Sequence, residues 1–426
     1  MRKLLLAVLW IAFLGGGTAL GQTPSPPAGQ AELVTALLER IDRLERRVND
    51  LENKLACAPE PCATNAKLVT ASAVDPPAPA AKNATMQEHQ DHSMPAVEQS
   101  TFPSMQIRGF GDVDFFATDQ KGTTSGFDLG QFVLHIASPL SKKVTYFGEV
   151  SFTAQNVAQS TVYALQVERT LIRYDYDDFF KISFGKYHTP VNYWNTEFHH
   201  GLWLQTTIAR PEMVKFGGTF IPVHFVGLLG EGEIPSGGVG LNYQVGMGNG
   251  RGENIATAGD AGDINNNRAW VVNLFSRPQH IYGLQMGGSF YGDEITTPTA
   301  PRMKELISAV HFVWTRETPE FLSEFANVHH RVLDTGQVFN SLAYYIQVAY
   351  RLPWLEKKWK PYYRFEYIHA PKGEPVLHGT NLVESTAGVR YDITEFAAFK
   401  TEYRSTKRAT NEPRFNGVFL QTCFTF

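Results

Sequence analysis

Residues 342–352 read Leu-Ala-Tyr-Tyr-Ile-Gln-Val-Ala-Tyr-Arg-Leu, and this stretch decides the fold class. Every second residue, counted from the first, is apolar or aromatic, whereas the residues between them include Gln347 and Arg351. A period of two indicates a β-strand with two different faces, because successive side chains point to opposite sides of a sheet. The same alternation recurs in residues 359–367, 383–391 and 399–403. The C-terminal part of the chain is therefore predicted to be all-β.

Composition restricts the class further. The chain has 426 residues and a formal net charge of -4, whereas nucleic-acid-binding domains are usually basic, so no nucleic-acid partner is expected. Beyond the first residues there is no run of about 18 or more apolar residues, which excludes a mature transmembrane helix. A membrane β-barrel hides its membrane signal in alternation. Aromatic residues make up 12% of the chain and cluster near strand ends, as in the aromatic girdles of membrane barrels. A soluble β-sandwich also alternates, but it needs far fewer strands.

The region 105–426 is predicted to form a transmembrane antiparallel β-barrel of about sixteen strands, with roughly 20 residues of chain for each strand. The expected connections after even strands are short and several of those after odd strands are longer, which matches the inner turns and outer loops of bacterial barrels. The predicted strands begin near Met105, Phe127, Val144, Thr161, Phe179, Gly218, Val239, Arg268, Ile281, Met303, Phe321, Asn340, Lys358, Leu382, Glu395 and Gly417. In the fourth strand the alternation breaks between Val167 and Arg169, so a β-bulge or a wrong assignment is expected there.

The first 21 residues have the pattern of an export signal: a charged start, an apolar stretch and small residues before Gln22. A buried N-terminal helix is the alternative. Export implies an oxidising compartment, in which Cys57 and Cys62 can form a disulfide, remain free or pair between chains.

Region 22–55 is predicted to be a periplasmic helical stalk. Its apolar residues are spaced three and four apart in an unbroken heptad seam, which indicates a coiled coil over residues 34–55. Residues 40–45 and 47–52 each resemble the Arg-to-Glu signature of short trimeric coiled coils, which implies a homotrimer. Two alternatives stay open: a two-stranded coil, since β-branched residues occupy the a positions, and a lone amphipathic helix. The seam consists of Val34, Leu37, Ile41, Leu44, Val48, Leu51 and Leu55.

Region 56–104 is rich in Ala and Pro and lacks periodicity, so we expect a disordered periplasmic linker. It contains a cluster that resembles the His/Met-rich segments of periplasmic copper-resistance proteins, with ligands that suit copper. Polar linker sequence is the plainer interpretation. The cluster consists of Met86, His89, His92 and Met94.

The C-terminus alternates and ends on an aromatic residue. Leu420, Phe424 and Phe426 lie on one face of the last predicted strand. This arrangement resembles the signal that the barrel-assembly machinery of the outer membrane recognises, and that machinery is therefore an expected partner.

The layout of signal, coiled-coil stalk, linker and sixteen-stranded barrel resembles the phosphate-selective porin O/P superfamily of trimeric outer-membrane porins. Residues 182–190, Ile-Ser-Phe-Gly-Lys-Tyr-His-Thr-Pro, are similar to the segment that precedes the constriction loop in that family. The resemblance implies a homotrimer in the outer membrane, in contact with its lipid. It also implies that the long connection 188–217 folds into the lumen and constricts it; an ordinary external loop is the alternative. The family's phosphate-binding residues have no recognisable counterpart here.

Selectivity is then expected to depend on lumen-facing charges and on the constriction loop. In the loop, His199 and His200 can line the pore and respond to pH, or simply form hydrogen bonds. Inward carboxylates are expected at Asp112, Asp114, Glu366, Glu384 and Glu402, and several charges are expected to neutralise one another. The balance leans cationic, which favours anionic or polar solutes by a small margin. The predicted basic pore-lining residues are Arg108, Lys181, Arg210, Lys215, Arg351, Lys360, Arg364, Arg390, Lys400 and Arg404.

The expected function is passive diffusion of small hydrophilic solutes, without a cofactor. Enzymatic activity is not expected, because neither a Gly-x-Ser-x-Gly elbow nor a His-Glu-x-x-His site occurs. Two other functions remain open: a metal-handling protein that uses the linker cluster for copper, and a tether that links the barrel to a periplasmic partner.

Overall fold

The computed structural model describes the barrel region. The predicted signal, the linker with Cys57, Cys62 and the residues Met86–Met94, and the stalk helix apart from Arg46 lie outside the described residues. Within the described part of the chain, no helix is both long and apolar enough to cross a lipid bilayer. The described residues are 46, 102–157, 160–198, 200–298, 300–408 and 412–426.

The described chain forms a closed antiparallel barrel of sixteen strands, which confirms the predicted fold class and strand number. Each strand pairs with its neighbours in sequence, and β1 pairs with β16 to close the ring. The strands are β1 Gln106–Thr118, β2 Gly126–Pro139, β3 Val144–Val157, β4 Ser160–Asp175, β5 Lys181–His188, β6 His224–Ile234, β7 Leu241–Asn249, β8 Ala269–Ser276, β9 Leu284–Ile295, β10 Met303–Trp314, β11 Glu320–Val332, β12 Val338–Ala349, β13 Trp359–His369, β14 Leu382–Asp392, β15 Ala397–Lys407 and β16 Phe415–Thr425.

The last residue takes part in closing the ring. The backbone N–H of Phe426 donates to the carbonyl oxygen of Gly109 at 3.0 Å, and the N–H of Gly109 donates back to Phe426 at 2.9 Å. The Phe426 ring lies over Gly109, where a β-carbon would come within 2.1 Å of it. Because Gly109 has no side chain, the ring of Phe426 packs directly on the backbone of β1.

The barrel wall has apolar side chains outside and polar ones inside. On β12, Ile346 and Val348 are exposed, whereas Tyr345 and Gln347 are fully buried. This order reverses that of a soluble protein, because a membrane barrel faces lipid outside and polar groups inside. The alternation in residues 342–352 therefore separates side chains that face lipid from side chains that face the lumen.

The fourth strand contains the bulge that its broken alternation predicts. Glu149 on β3 lies opposite Arg169, but the next residue, Val150, lies opposite Val167, so Glu168 is the extra residue of β4. Both Glu168 and Arg169 are buried, although they are adjacent in sequence. The bulge thus brings two consecutive charged residues into the barrel.

Two expectations need correction. The sixth strand begins at His224 and not near Gly218, because Phe220, Ile221 and Val223 are all buried within the preceding connection and do not alternate. The contrast between short and long connections also holds only in part. β3 and β4 are joined by residues 158–159 and β11 and β12 by residues 333–337, although both connections follow odd strands.

Candidate solute pathway

The longest connection of the barrel, residues 189–223, runs between β5 and β6, and we call it the long loop. It contains one short helix, α1 (Trp194–Glu197), and two 3-10 turns at Leu202–Leu204 and Glu212–Val214. In a ring of sixteen strands, β13 is eight places from β5 and therefore lies opposite the point where the long loop begins.

The long loop is hydrogen-bonded to that opposite wall. The Lys400 ammonium on β15 donates to the carbonyl oxygens of Leu202 at 2.6 Å and Thr207 at 2.9 Å. The Arg390 guanidinium on β14 donates to the carbonyl oxygens of Trp203 and Gln205. These bonds can form only if the loop crosses the interior of the barrel.

Strand β13 and its neighbours hold the next part of the loop. The Arg364 guanidinium donates to the hydroxyl of Thr207 at 3.0 Å and to the carbonyl oxygen of Ala209 at 2.8 Å. Conversely, the backbone N–H of Ile208 donates to Glu402, and that of Glu212 donates to Glu366. Charged wall residues of both signs therefore bind the loop backbone, and such charge-assisted bonds are stronger than neutral ones.

The beginning and the end of the long loop pack against the middle strands of the barrel, from β8 to β12. Trp194, Phe220 and Ile221 are buried in one apolar cluster together with wall residues such as Val271. The Trp194 ring meets Tyr345 of β12 edge-on, at 5.8 Å between ring centroids. This apolar cluster fills the part of the barrel interior that the middle strands line. The remaining interior space lies on the outer-loop side and on the short-turn side of the long loop.

Most of the predicted basic pore residues are placed inside the barrel and bonded there. Lys360, Arg364, Arg390 and Lys400 are buried beneath the long loop and do not face open solvent. Lys360 pairs with Glu317 and Glu320, Arg364 with Glu366, Arg390 with Asp392, Arg404 with Glu402, and Arg351 with both Glu317 and Asp392.

The remaining predicted residues differ in their surroundings. Arg108 is exposed and lies opposite His135, and Lys181 is half-buried opposite Glu231. Lys215 is exposed, 3.7 Å from Glu212. His200 is buried, whereas His199 lies outside the described residues.

Burial and neighbouring charge shift the pKa values of two residues in the long loop. Burial lowers the pKa of the Arg210 guanidinium to about 9, and the side chain donates to the carbonyl oxygens of Phe198 and Val214. Burial opposes ionisation of Glu212, but Lys215 and Arg408 outweigh it and hold the pKa of Glu212 below its usual value. Both residues are therefore charged at neutral pH.

Two cavities adjoin the long loop. The one toward the outer loops, which we call the loop-end cavity, has a volume of about 410 Å³ and is lined by residues that include Asp114, Asp128, Arg210, Glu212, Lys215, Arg364, Glu366, Glu384, Arg404 and Arg408. The one toward the short turns, the turn-end cavity, has a volume of about 840 Å³ and is lined by residues that include Glu197, Arg277, Glu317, Glu320, Arg351, Lys357 and Asp392.

Sequence reasoning missed several interior charges. Glu149, Glu168 and Arg169 surround the base of the long loop. The alternation of β3 was the signal for Glu149, and the broken alternation of β4 was the signal for Glu168 and Arg169. His224 was missed because the sixth strand was expected to begin too early. Arg277 belongs to a turn, where alternation assigns no face.

Comparisons with known proteins agree with this architecture. No protein-family profile matches the sequence, and no curated protein sequence matches it. Among solved structures, the chain is similar to the anion-selective porin of Comamonas acidovorans, with 10% identity, a TM-score of 0.56, and coverage of 76% of this chain and all of that one. It is also similar to OmpT of Vibrio cholerae in its trimer form, with 14% identity, a TM-score of 0.51, and coverage of 76% and 99%.

The outer membrane channel DcaP of Acinetobacter baumannii is a third similar structure, with 12% identity, a TM-score of 0.52, and coverage of 76% and 97%. At such low identity the likeness shows the fold alone. The chain therefore has the sixteen-stranded barrel fold of the porins. In this chain, interior charges of the wall hold the long loop across the lumen.

Proposed function

We propose that this protein is an outer-membrane porin that allows passive diffusion of small hydrophilic solutes, and that the long loop narrows its lumen. The observation that carries the proposal is the set of bonds from Lys400, Arg390 and Arg364 to the loop backbone. A loop fixed across a sixteen-stranded barrel reduces a wide aqueous channel to a size at which solutes can be selected. The barrel fold shared with porins favours this function over metal handling, a tether or an enzyme.

Anions are the expected preference, but we propose that the preference is weak. The loop-end cavity is lined by five basic residues (Arg210, Lys215, Arg364, Arg404, Arg408) and five acidic residues (Asp114, Asp128, Glu212, Glu366, Glu384). Paired charges largely cancel for a passing ion. Lys215 and Arg408 share one carboxylate, that of Glu212, at 3.7 and 3.0 Å, so this group of three keeps one net positive charge that attracts anions.

The quaternary structure and the location follow from the same proposal. One of the similar outer-membrane proteins, OmpT of Vibrio cholerae, is described in a trimer form, and we propose a homotrimer formed by the barrel and by the stalk residues 34–55. The exposed Phe426 and Phe424 suit recognition by the barrel-assembly machinery and later contact with lipid. The stalk and the linker would then lie in the periplasm.

Conductance of the refolded protein in a planar bilayer, with reversal potentials in a KCl gradient, tests the proposal. We expect ohmic channels in groups of three with a weak anion preference. K215E and R408E should shift the permeability ratio severalfold toward cations, whereas K121E, at an exposed loop residue outside the cavity, should leave it unchanged. Correctly folded protein without conductance would contradict the porin function.

A further inference from the structure

Three histidines meet at the base of the long loop. His188 is the last residue of β5, His224 is the first residue of β6, and the two lie directly opposite each other in the sheet. His200 reaches them from within the long loop. One ring nitrogen from each of the three lies within 4.8 Å of the others. The cluster therefore joins the loop to both strands from which it emerges.

The surrounding groups orient these imidazoles. The Nδ1 of His188 lies 3.0 Å from the carbonyl oxygen of Asn195, so Nδ1 carries the proton and the lone pair is on Nε2. The Nδ1 of His200 lies 2.9 Å from Glu149. A hydrogen bond from the distal ring nitrogen to a carbonyl or carboxylate is the usual support of a metal-binding histidine.

A carboxylate completes the donor set. Glu168 lies with one oxygen 3.4 Å from the Nε2 of His200 and with the other 3.3 Å from the Nε2 of His224. Glu168 is the extra residue of the β4 bulge, and the bulge allows Glu168 and the adjacent Arg169 both to face the interior of the barrel. Three imidazoles and one carboxylate are a donor set that suits zinc and its neighbours among the divalent transition metals.

We propose that His188, His200 and His224, together with Glu168, bind one divalent transition-metal ion. Zinc–nitrogen bonds of about 2.0–2.1 Å require ligand nitrogens about 3.3 Å apart in a tetrahedral site. The ligand atoms lie within 4.8 Å of one another, so side-chain rotations that bring them together by at most about 1.5 Å are enough to form the site. This site is distinct from the linker residues Met86–Met94, because its ligands belong to the barrel and the long loop.

Metal binding would fasten the long loop to the wall. Three ligands, His188, His224 and Glu168, belong to strands and one, His200, belongs to the loop, so the ion acts as a cross-link at the loop's base. Phe216, which lines the loop-end cavity, stacks on His200 at 3.7 Å and covers one face of the cluster. The effect on conductance rests on the proposed porin function, whereas binding itself does not.

The test uses the mature chain without a polyhistidine tag, carrying H89N and H92N so that the linker cannot supply ligands. Zn²⁺ binding is measured by calorimetry, and Co²⁺ is added as a spectroscopic probe of coordination. We expect one ion per chain and the visible absorption of a tetrahedral Co²⁺ site. H200A and H224Q should each weaken binding at least about 10-fold. H378A, which changes an exposed loop histidine, should bind as before.

Two variants on different elements keep the test decisive if one of them fails to fold. Unchanged Zn²⁺ affinity in the folded variant, or no stoichiometric binding to the parent protein, would overturn the site. In the bilayer, micromolar Zn²⁺ should reduce current fluctuations of the parent and not of H200A. Binding without any channel activity would preserve the metal site and count against the porin function.

Discussion

The ammonium of Lys400 on β15 lies 2.6 Å from the carbonyl oxygen of Leu202, and this contact joins the wall to a loop that begins on the opposite side of the barrel. The same ammonium also donates to Thr207. Lys400 is fully buried, so these carbonyl oxygens replace the water that a lysine normally binds. A predicted pore-lining cation thus serves as an anchor for the long loop.

Replacing that anchor should release the loop. We expect K400L to leave two carbonyl oxygens without their donor and to destabilise the seated loop by about 1.5–3 kcal/mol. Single-channel recordings should show larger and noisier conductance than the parent protein. K372L, at an exposed residue of the connection 370–381, is the matched control. Parental conductance in folded K400L would contradict the anchoring role.

Arg251 allows a comparison of a fully buried with a partly exposed ion pair. Its guanidinium donates to both oxygens of Glu305, at 2.9 and 3.0 Å, and to the carbonyl oxygen of Phe220 in the long loop. R251L should lower the free energy of unfolding by about 3–5 kcal/mol, because Glu305 remains buried without its main partner. R268L removes a half-exposed guanidinium from its pair with Asp263 and should cost less than R251L, because water solvates the Arg268 side chain. Urea unfolding in lipid vesicles measures both, and equal losses would refute the distinction.

Gly185 occupies a backbone conformation that other residues rarely adopt. Its φ is +143°, and a β-carbon there would lie 2.1 Å from the carbonyl oxygen of Thr170 on the paired strand. G185A should therefore disrupt the pairing of β4 with β5 and lower the thermal unfolding midpoint of the barrel. G126A, where no atom lies within 4 Å, is the control. Similar midpoints for the two variants would show that β5 tolerates the change.

Acid should weaken the turn between β10 and β11. Burial opposes ionisation of Glu317, but Lys360 and Arg351 outweigh it and lower its pKa to about 2, from an ordinary value of 4.5. A carboxyl group whose pKa is lower in the folded than in the unfolded state stabilises the fold above its unfolded pKa. That contribution is lost as the pH falls from about 4.5 to about 2.

The measurement is the thermal unfolding midpoint of the parent and of E317Q between pH 6 and pH 2. We expect E317Q to be less stable at pH 6 and to approach the parent at low pH. E356Q, which changes an exposed glutamate in the turn 350–358, should keep the parental dependence. A constant difference between E317Q and the parent at every pH would contradict the assignment.

The alternation of apolar and polar residues within single strands was sufficient to predict the barrel. The errors of the prediction were also confined to single segments of the chain. The period of two in β12 and β13 assigns each side chain to lipid or lumen without knowledge of any other strand. The break between Val167 and Arg169 predicted the β4 bulge for the same reason. The start of β6 was predicted too early because Phe220, Ile221 and Val223 are as apolar as the residues of a buried strand. Their burial depends on the long loop and the distant wall.

The sequence by itself determined the all-β class, the sixteen strands and the inward side of residues such as Lys360 and Arg364. These features depend on which side of its own strand each side chain occupies, and the alternation of apolar and polar residues shows this directly. Only the tertiary structure decided that Lys400 and Arg390 hold the long loop, and that His188, His200 and His224 meet beside Glu168. Closure of the barrel brings together residues nearly 200 positions apart, and such pairings leave no local pattern in the chain.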